Sequence, residues 1–426
     1  MGSFGFGFGL FRLTAGDAVV AAPPWVLSGA ALDLDLEGDQ VYGADSFADV
    51  LGCARTIDGG VSYAVNAAGV LVPFSDNVLR RTDRGLLIEE GRTNIHLHSS
   101  NLGTGYTMAG STATTNTEAA PDGTTTADTN TGSTSAELLR NSSAITISTG
   151  VTYTYSRYVK KGNFDWVRMQ VASETGLTNG VRGWFDLTNG VIGNLTAHGS
   201  NWSGSDAFMQ ALGGSWYRVG FRFQSAVATT LYAALCSASA NAATTRANIG
   251  SGAGVGTVAH HWGAQVELGA GPLSLIPTAG SAATRSAEVI ATNIELEELL
   301  AGAAWSVSAK VRTVPAVTKT ILGRAGAVGL GLNSTPGARS SDGSTTINAT
   351  GSADDDFSVA LGVDATGRSL SYRGGTVTTD STDITHATSW SRVGSHTGGD
   401  YLNDYLERLA VWNSRLSNAT LEALRP

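Results

Sequence analysis

Residues 85–94 read GLLIEEGRTN, with Glu89 and Glu90 adjacent and Arg92 two positions on. These residue types support two kinds of chemistry. Paired carboxyl groups hydrolyse glycosidic bonds when a cleft holds them roughly 5–10 Å apart. A carboxylate gripped by the fork of a guanidinium instead makes a structural latch. Catalytic carboxylates require a cleft, and a strand edge need not provide one. The latch is therefore the expected role, with Arg92 pinning this linker to the domain that follows it.

A second group of candidates is aromatic. Trp184, Trp202, Tyr106 and Trp390 stand beside Gly, Ser, Thr or Asn rather than inside apolar runs. A sugar ring has an apolar C–H face and polar rims, which suits a flat aromatic flanked by hydrogen-bonding groups. The stretch GNLTAHGSNWSGSD at 193–206 brings His198, Asn201, Trp202 and Asp206 close in sequence. With Trp184 and Trp390, these are the expected carbohydrate-binding residues. The competing role is a tryptophan that caps a core, since tryptophan is usually largely buried.

Other site chemistries find no support. The chain contains no H-E-x-x-H, no G-x-S-x-G and no Walker loop, and SGAGVG at 251–256 departs from G-x-G-x-x-G and reads as a loop. His96 and His98 could share a strand face, but no third metal ligand can be named. His260 and His261 are adjacent and would point to opposite faces. The acidic run Asp354–Asp356 reads as a solvated turn. Cys53 and Cys236 lie outside any C-x-x-C pattern and are expected as buried free thiols. No catalytic residue, metal or cofactor is expected.

The elements that must position these residues are strands. In WSVSAKVRT, Trp305, Val307, Ala309 and Val311 alternate with Ser306, Ser308, Lys310 and Arg312. WYRVGFRFQ sets Tyr217, Val219, Phe221 and Phe223 against Arg218, Arg222 and Gln224. VTYTYSRYVKKG places Val151, Tyr153 and Tyr155 on one face, and FSVALGVD does the same for Phe357, Val359, Leu361 and Val363. This period of two marks antiparallel sheets with one buried face. Asp122-Gly123, Asn179-Gly180, Asn189-Gly190 and Gly374-Gly375 are turn dipeptides between them. Short helices are expected at 293–302, capped by Asn293, and near the C-terminus, capped by Ser417 or Asn418.

Composition sets the outer bounds. Of 426 residues only 15 % are charged, against an average of about 25 %, and 54 are glycine. Nine Trp, 11 Tyr and 12 Phe argue against disorder. The net charge is −9 and no Lys/Arg run occurs, so no nucleic-acid partner is expected. No apolar run approaches the roughly 20 residues of a membrane helix, so no membrane insertion is expected, and the N-terminus lacks the basic start of a secretory signal. The expected fold is all-β: tandem antiparallel β-sandwiches, jelly-roll and concanavalin-like, behind a small mixed N-terminal anchoring region. The expected divisions are 1–100, 101–285 and 286–426. FDLTNGVIG at 185–193 and GVDATGRSLSY at 362–372 share a strand, an Asp-x-Thr turn and a second strand, compatible with two related sandwiches.

The opening stretch belongs to a longer order of segments. A hairpin through Asn66-Ala-Ala-Gly69 precedes Asn77-Val-Leu-Arg80, then GLLIEEGRTN. APDGTTTAD at 120–128, YVKKGNFDWVRM at 158–169, GSWYRVGFRF at 214–223, WGAQVELG at 262–269 and LIPTAGSAATR at 275–285 follow. This order resembles structural proteins of tailed phages and phage-like particles, gene transfer agents included. In that family a hairpin, an N-x-x-R segment and a G-L-L-I-E-x-x-R-T-N strand precede a jelly roll. LERLAVWNSRLSNATLEAL at 406–424 is similar to the closing strand and helix of phage concanavalin-like lectin domains.

The resemblance implies a fibre or spike subunit on the particle surface, at the head rather than the tail, assembled in the bacterial cytoplasm. It implies a homo-oligomer that binds host capsular or other surface polysaccharide. In GFGFGLF, Phe4, Phe6 and Phe8 would share one strand face, and they are the expected anchor to other particle proteins. The alternatives are a capsule depolymerase and a purely architectural decoration or adaptor subunit. The second alternative requires Trp184 and Trp202 to be buried.

Overall fold

The computed structural model describes residues 22–424 except 59, 134–137, 142, 174, 176, 239–254, 313–318, 325–326, 334–336, 343, 352–356, 383, 385–389 and 397–398. Phe4, Phe6, Phe8, the Asp354–Asp356 run, His386 and most of the SGAGVG loop lie outside the described residues. The chain is about 56 % strand and 5 % helix, arranged in antiparallel sheets. An all-β, sandwich-like fold is the result.

The first sandwich packs an eight-stranded sheet on a seven-stranded one. Tyr153–Lys161 lies between Trp216–Ser225 and Val255–Leu268 in the larger sheet. Trp166–Ala172 lies between Gly180–Asp186 and Thr229–Ala238 in the smaller. The period of two delivers one face of each sheet to a shared core: Tyr153, Tyr155, Val159, Val219, Phe221 and Phe223 meet Val167, Met169, Val171, Val181 and Phe185.

The second sandwich has a nine-stranded and a seven-stranded sheet. Trp305, Val307, Ala309 and Val311 of Ala304–Val311 enter its core with Val359, Leu361 and Val363. Ser306 and Ser308 on the opposite face are also buried. Ser306 Oγ donates to the Ser414 carbonyl at 3.0 Å and accepts from Leu416 N at 2.8 Å, tying down the segment that leads into the last helix. That helix, Asn418–Ala423, is capped by Ser417, whose side chain accepts from Thr420 N at 3.1 Å. The helix Ile294–Leu300 follows Asn293, whose amide donates to the Ala48 carbonyl rather than capping the helix.

Residues 22–100 contribute strands to both sandwiches. Leu32–Asp35 pairs with Asp404–Trp412, and Leu51–Ala54 closes an edge beside Val289–Thr292. Gly85–Ile88 pairs with Asp404–Trp412 in the second sandwich, whereas Arg92–Asn94 pairs with Val255–Leu268 and Ala283–Arg285 in the first. The expected hairpin, Ser62–Val65 with Leu71–Phe74, wedges between the two. Its Tyr63 and Leu71 pack with Tyr158, Trp216 and Trp262, and its Ala64 packs with Leu87 and Tyr405. Gly69 turns it at φ +77°, and a Cβ there would lie 2.4 Å from Gly213 N. Only glycine combines that backbone with that approach.

Among the described residues, no helix is long and apolar enough to cross a membrane.

Candidate functional site

GLLIEEGRTN is a crossing between the sandwiches. GLLI is a strand of the second and RTN a strand of the first. The chain crosses back at 286–288, between Ala283–Arg285 and Val289–Thr292. The two crossings run side by side, with Glu288 N donating to the Glu89 carbonyl at 3.0 Å.

Around them lies a water-excluded ionic network. Glu288 Oε1 accepts from Arg55 Nη1 and Arg80 Nε, both at 2.7 Å. Its Oε2 accepts from Arg80 Nη2 at 2.6 Å and from the Glu89 amide at 2.8 Å. Glu89 Oε2 accepts from Arg80 Nη2 at 2.7 Å and Ser274 Oγ at 2.6 Å, and pairs with Arg285 Nη1 at 2.8 Å. Its Oε1 accepts from Ser274 N at 2.8 Å. Arg80 also reaches the Tyr63 carbonyl of the hairpin at 2.8 Å, and Arg285 the Glu90 carbonyl at 2.9 Å. Both sandwiches, the hairpin and both crossings thus share one set of charge-assisted bonds, each stronger than a neutral one.

Arg92 pairs with its neighbour Glu90 at 2.6 Å, and its guanidinium lies against Gly269, where a Cβ would come within 1.6 Å of Nη1. The expected Arg92 latch is therefore a small part of a larger one centred on Glu89 and Glu288. Asn94 completes the motif. Its amide donates to Ala264 and Ile276 carbonyls and its oxygen accepts from His96 N and Val266 N, so no polar atom is wasted. Arg80 and Arg285 stand inside segments that the sequence reading singled out. Arg55, Glu288 and Ser274 were missed. The available signal was a lone charge abutting an apolar strand in a chain with few charges: Arg55 after LGCA and Glu288 before VIAT.

Burial alone would raise the Glu89 pKa, but the guanidinium groups of Arg285 and Arg80, with the Ser274 hydrogen bond, hold it at about 2. This is the opposite of the raised value a general acid needs. Glu267 behaves the other way: burial pushes it up to about 7 against the pull of Arg218. Glu89 is ionised in the folded state well below its ordinary 4.5, so its stabilisation is full above that pH and is lost as pH falls towards 2. For Glu267 the stabilisation is full below 4.5 and is lost as pH rises towards 7. Unfolding free energy measured by urea from pH 3 to 8 is expected to fall on both sides of about pH 4.5. Glu89→Gln should flatten the acid limb and Glu267→Gln the upper limb; unchanged limbs would refute these assignments.

A half-open cavity of about 150 Å³ lies beside the network. Tyr63, Tyr158 and Tyr405 give it aromatic walls, and Gln210, Arg218 and Asn403 add polar groups from both sandwiches. Arg218 is buried, its Nη2 donates to Ser156 Oγ at 3.1 Å, and its Nε has no partner. Asn403 holds the Glu90 amide at 2.8 Å. Glu89 and Asp404 also line the cavity.

The residues expected to bind carbohydrate are placed elsewhere and apart. Trp184 is 1 % exposed, Trp202 8 % and Trp390 2 %. Trp202 packs on Phe223 with ring centres 6.2 Å apart, and Trp390 meets Trp305 edge-on at 5.2 Å. Indoles this buried have no free face for a sugar, so the expected stacking platform is absent at these three positions. The physical reason is hydrophobic: Trp202 and Trp390 serve two different cores. His198 is half-buried in the smaller sheet of the first sandwich, within 3.1 Å of Thr196 Oγ1, and burial followed by Arg182 lowers its pKa. Asn201 is exposed in the turn before Trp202. Asp206 is exposed in the larger sheet and pairs with Arg222 at 2.8 Å.

Cys53 and Cys236 lie in different sandwiches and are not disulfide-bonded, and burial pushes the Cys53 thiol up to about 11. Among the described residues, no three His, Cys, Asp or Glu side chains are grouped to hold a metal. No protein-family model matches the chain, and no curated protein matches it.

Proposed function

We propose that this chain is a non-catalytic structural subunit displayed on a phage-like particle, where it engages host surface polysaccharide. The observation that carries the structural part is the Glu89–Arg80–Glu288 network. It joins the two sandwiches and the hairpin into one stiff body, as a projecting subunit requires. In this reading the N-terminal segment with Phe4, Phe6 and Phe8 fixes the subunit to other particle proteins, at the head. Copies assemble as a homo-oligomer, and repetition raises weak saccharide contacts to useful avidity.

Burial of Trp184 and Trp202 favours the architectural alternative over a binding loop at 193–206. What supports saccharide engagement is the junction cavity. Its volume of about 150 Å³ suits a six-membered ring, and the mixed donors and acceptors of Gln210, Arg218 and Asn403 match a sugar's polar rim.

The test is retention of the purified protein on encapsulated and capsule-free cells, with polymer length measured afterwards. Capsule-dependent retention with intact polymer is expected, with Arg218→Gln reducing affinity about tenfold, the loss of one charge-assisted hydrogen bond. Equal retention on both cell types would leave the architectural subunit, and shortened polymer would establish a depolymerase.

A further inference from the structure

Arg157 is a buried cation without a counter-ion. Its strand runs through the first sandwich with Tyr155 and Val159 in the core, so the Arg157 side chain points between the sheets. It is 1 % exposed. Its Nη2 donates to the Tyr106 hydroxyl of the opposite sheet at 2.9 Å, and the guanidinium stands 5.2 Å from that ring centre. Its Nε and Nη1 make no hydrogen bond of normal geometry, the Tyr155 hydroxyl is the other polar group against it, and among the described residues no carboxylate lies within ion-pair distance of it. The buried Asp128 carboxylate is occupied by the backbone amides of Leu102 and Asn116, at 2.5 and 2.8 Å.

Other unsatisfied side chains face the same interior. His261 stands opposite Asp128 and beside Val159, facing the same interior. Asn130, two residues from Asp128, shares that face. His96 leans on Tyr106 with ring centres 5.6 Å apart. His96, His261 and Asn130 are each at most 1 % exposed, and both polar side-chain atoms of each lack a partner. Burial, then the charge of Arg157, lowers the His96 pKa to about 3 and holds His261 well below its ordinary value. Both rings are thus neutral, and each keeps one N–H to donate.

Native proteins leave very few buried polar atoms unsatisfied, and a cluster of them marks an ion or ordered water. The charge decides between the two. Water satisfies the donors but leaves the guanidinium uncompensated, whereas a monovalent anion does both. A divalent anion would overcompensate the single cation. We propose that Arg157, His96 and His261 hold a small monovalent inorganic anion of the halide class inside the first sandwich, as a structural ligand.

The probe is bromide. In crystals of the full chain soaked in sodium bromide, an anomalous peak is expected within hydrogen-bond distance of Arg157 Nη1. In solution, melting temperature is expected to rise with bromide at fixed ionic strength when bromide replaces a bulky organic anion. Arg157→Met should lose that rise, and His261→Leu provides the same comparison if the first variant fails to fold. Water alone at the site, or an equal bromide response in wild type and variant, would overturn the proposal.

Discussion

Glu288→Ala is expected to destabilise the protein by roughly 3–5 kcal/mol, the usual cost of removing one partner from a buried ion pair. The carboxylate accepts four hydrogen bonds, from Arg55, twice from Arg80, and from the Glu89 amide. Its loss takes the ion-pair partner from Arg55 and leaves Arg80 with Glu89, both arginines being fully buried. The cost is the stranding of charge and says nothing about how much the intact network adds over an apolar junction, which is often small. A urea titration reads it directly as a lower midpoint at unchanged slope. Glu288→Gln keeps the shape and some of the acceptors and should fall between the two. A loss below about 1 kcal/mol in the alanine variant, the scale of an exposed pair, would show that water reaches the junction and that the latch is weak.

Trp390→Ala is expected to cost about 3–5 kcal/mol, the range for a large aromatic removed from a core. Trp390 stands edge-on to Trp305 inside the second sandwich. Gly329 makes room for it, since a Cβ there would come within 2.0 Å of the indole. The expected signature is a lowered melting temperature, with retention on encapsulated cells unchanged at temperatures where the variant stays folded. A variant with wild-type stability and lost retention would return Trp390 to the role of a saccharide platform.

These two sites show what the sequence made legible. Alternation revealed the core faces of WSVSAKVRT and FSVALGVD, because a period of two leaves little choice of which side chains go inward. The hairpin was legible from Asn66 and Gly69, whose side-chain acceptor and positive φ are local requirements. Tryptophans flanked by small polar residues misled the search for a site. The flanks reported on neighbouring strand positions, while Trp202 and Trp390 turned into the two cores and Trp184 is buried on the other face of its sheet, opposite Arg168. The network was half legible. Glu89 and Arg80 fall in segments whose order drew notice, but Arg55 and Glu288 are 233 positions apart. Their meeting depends on two crossings that lie side by side, which no local pattern records. For the same reason 1–100 read as a separate anchoring and linking region, although its strands Leu32–Asp35 and Leu51–Ala54 pair with strands beyond residue 288.

The central claim is that both sandwiches form one cooperative body through the Glu89–Arg80–Glu288 junction. Differential scanning calorimetry of the whole chain tests it most directly. The wild type should unfold in one transition whose calorimetric and van't Hoff enthalpies agree, and Glu288→Ala should lower the temperature of that transition. Two separate transitions in the wild type would contradict the claim, because the sandwiches would then be independent domains joined only by their linkers.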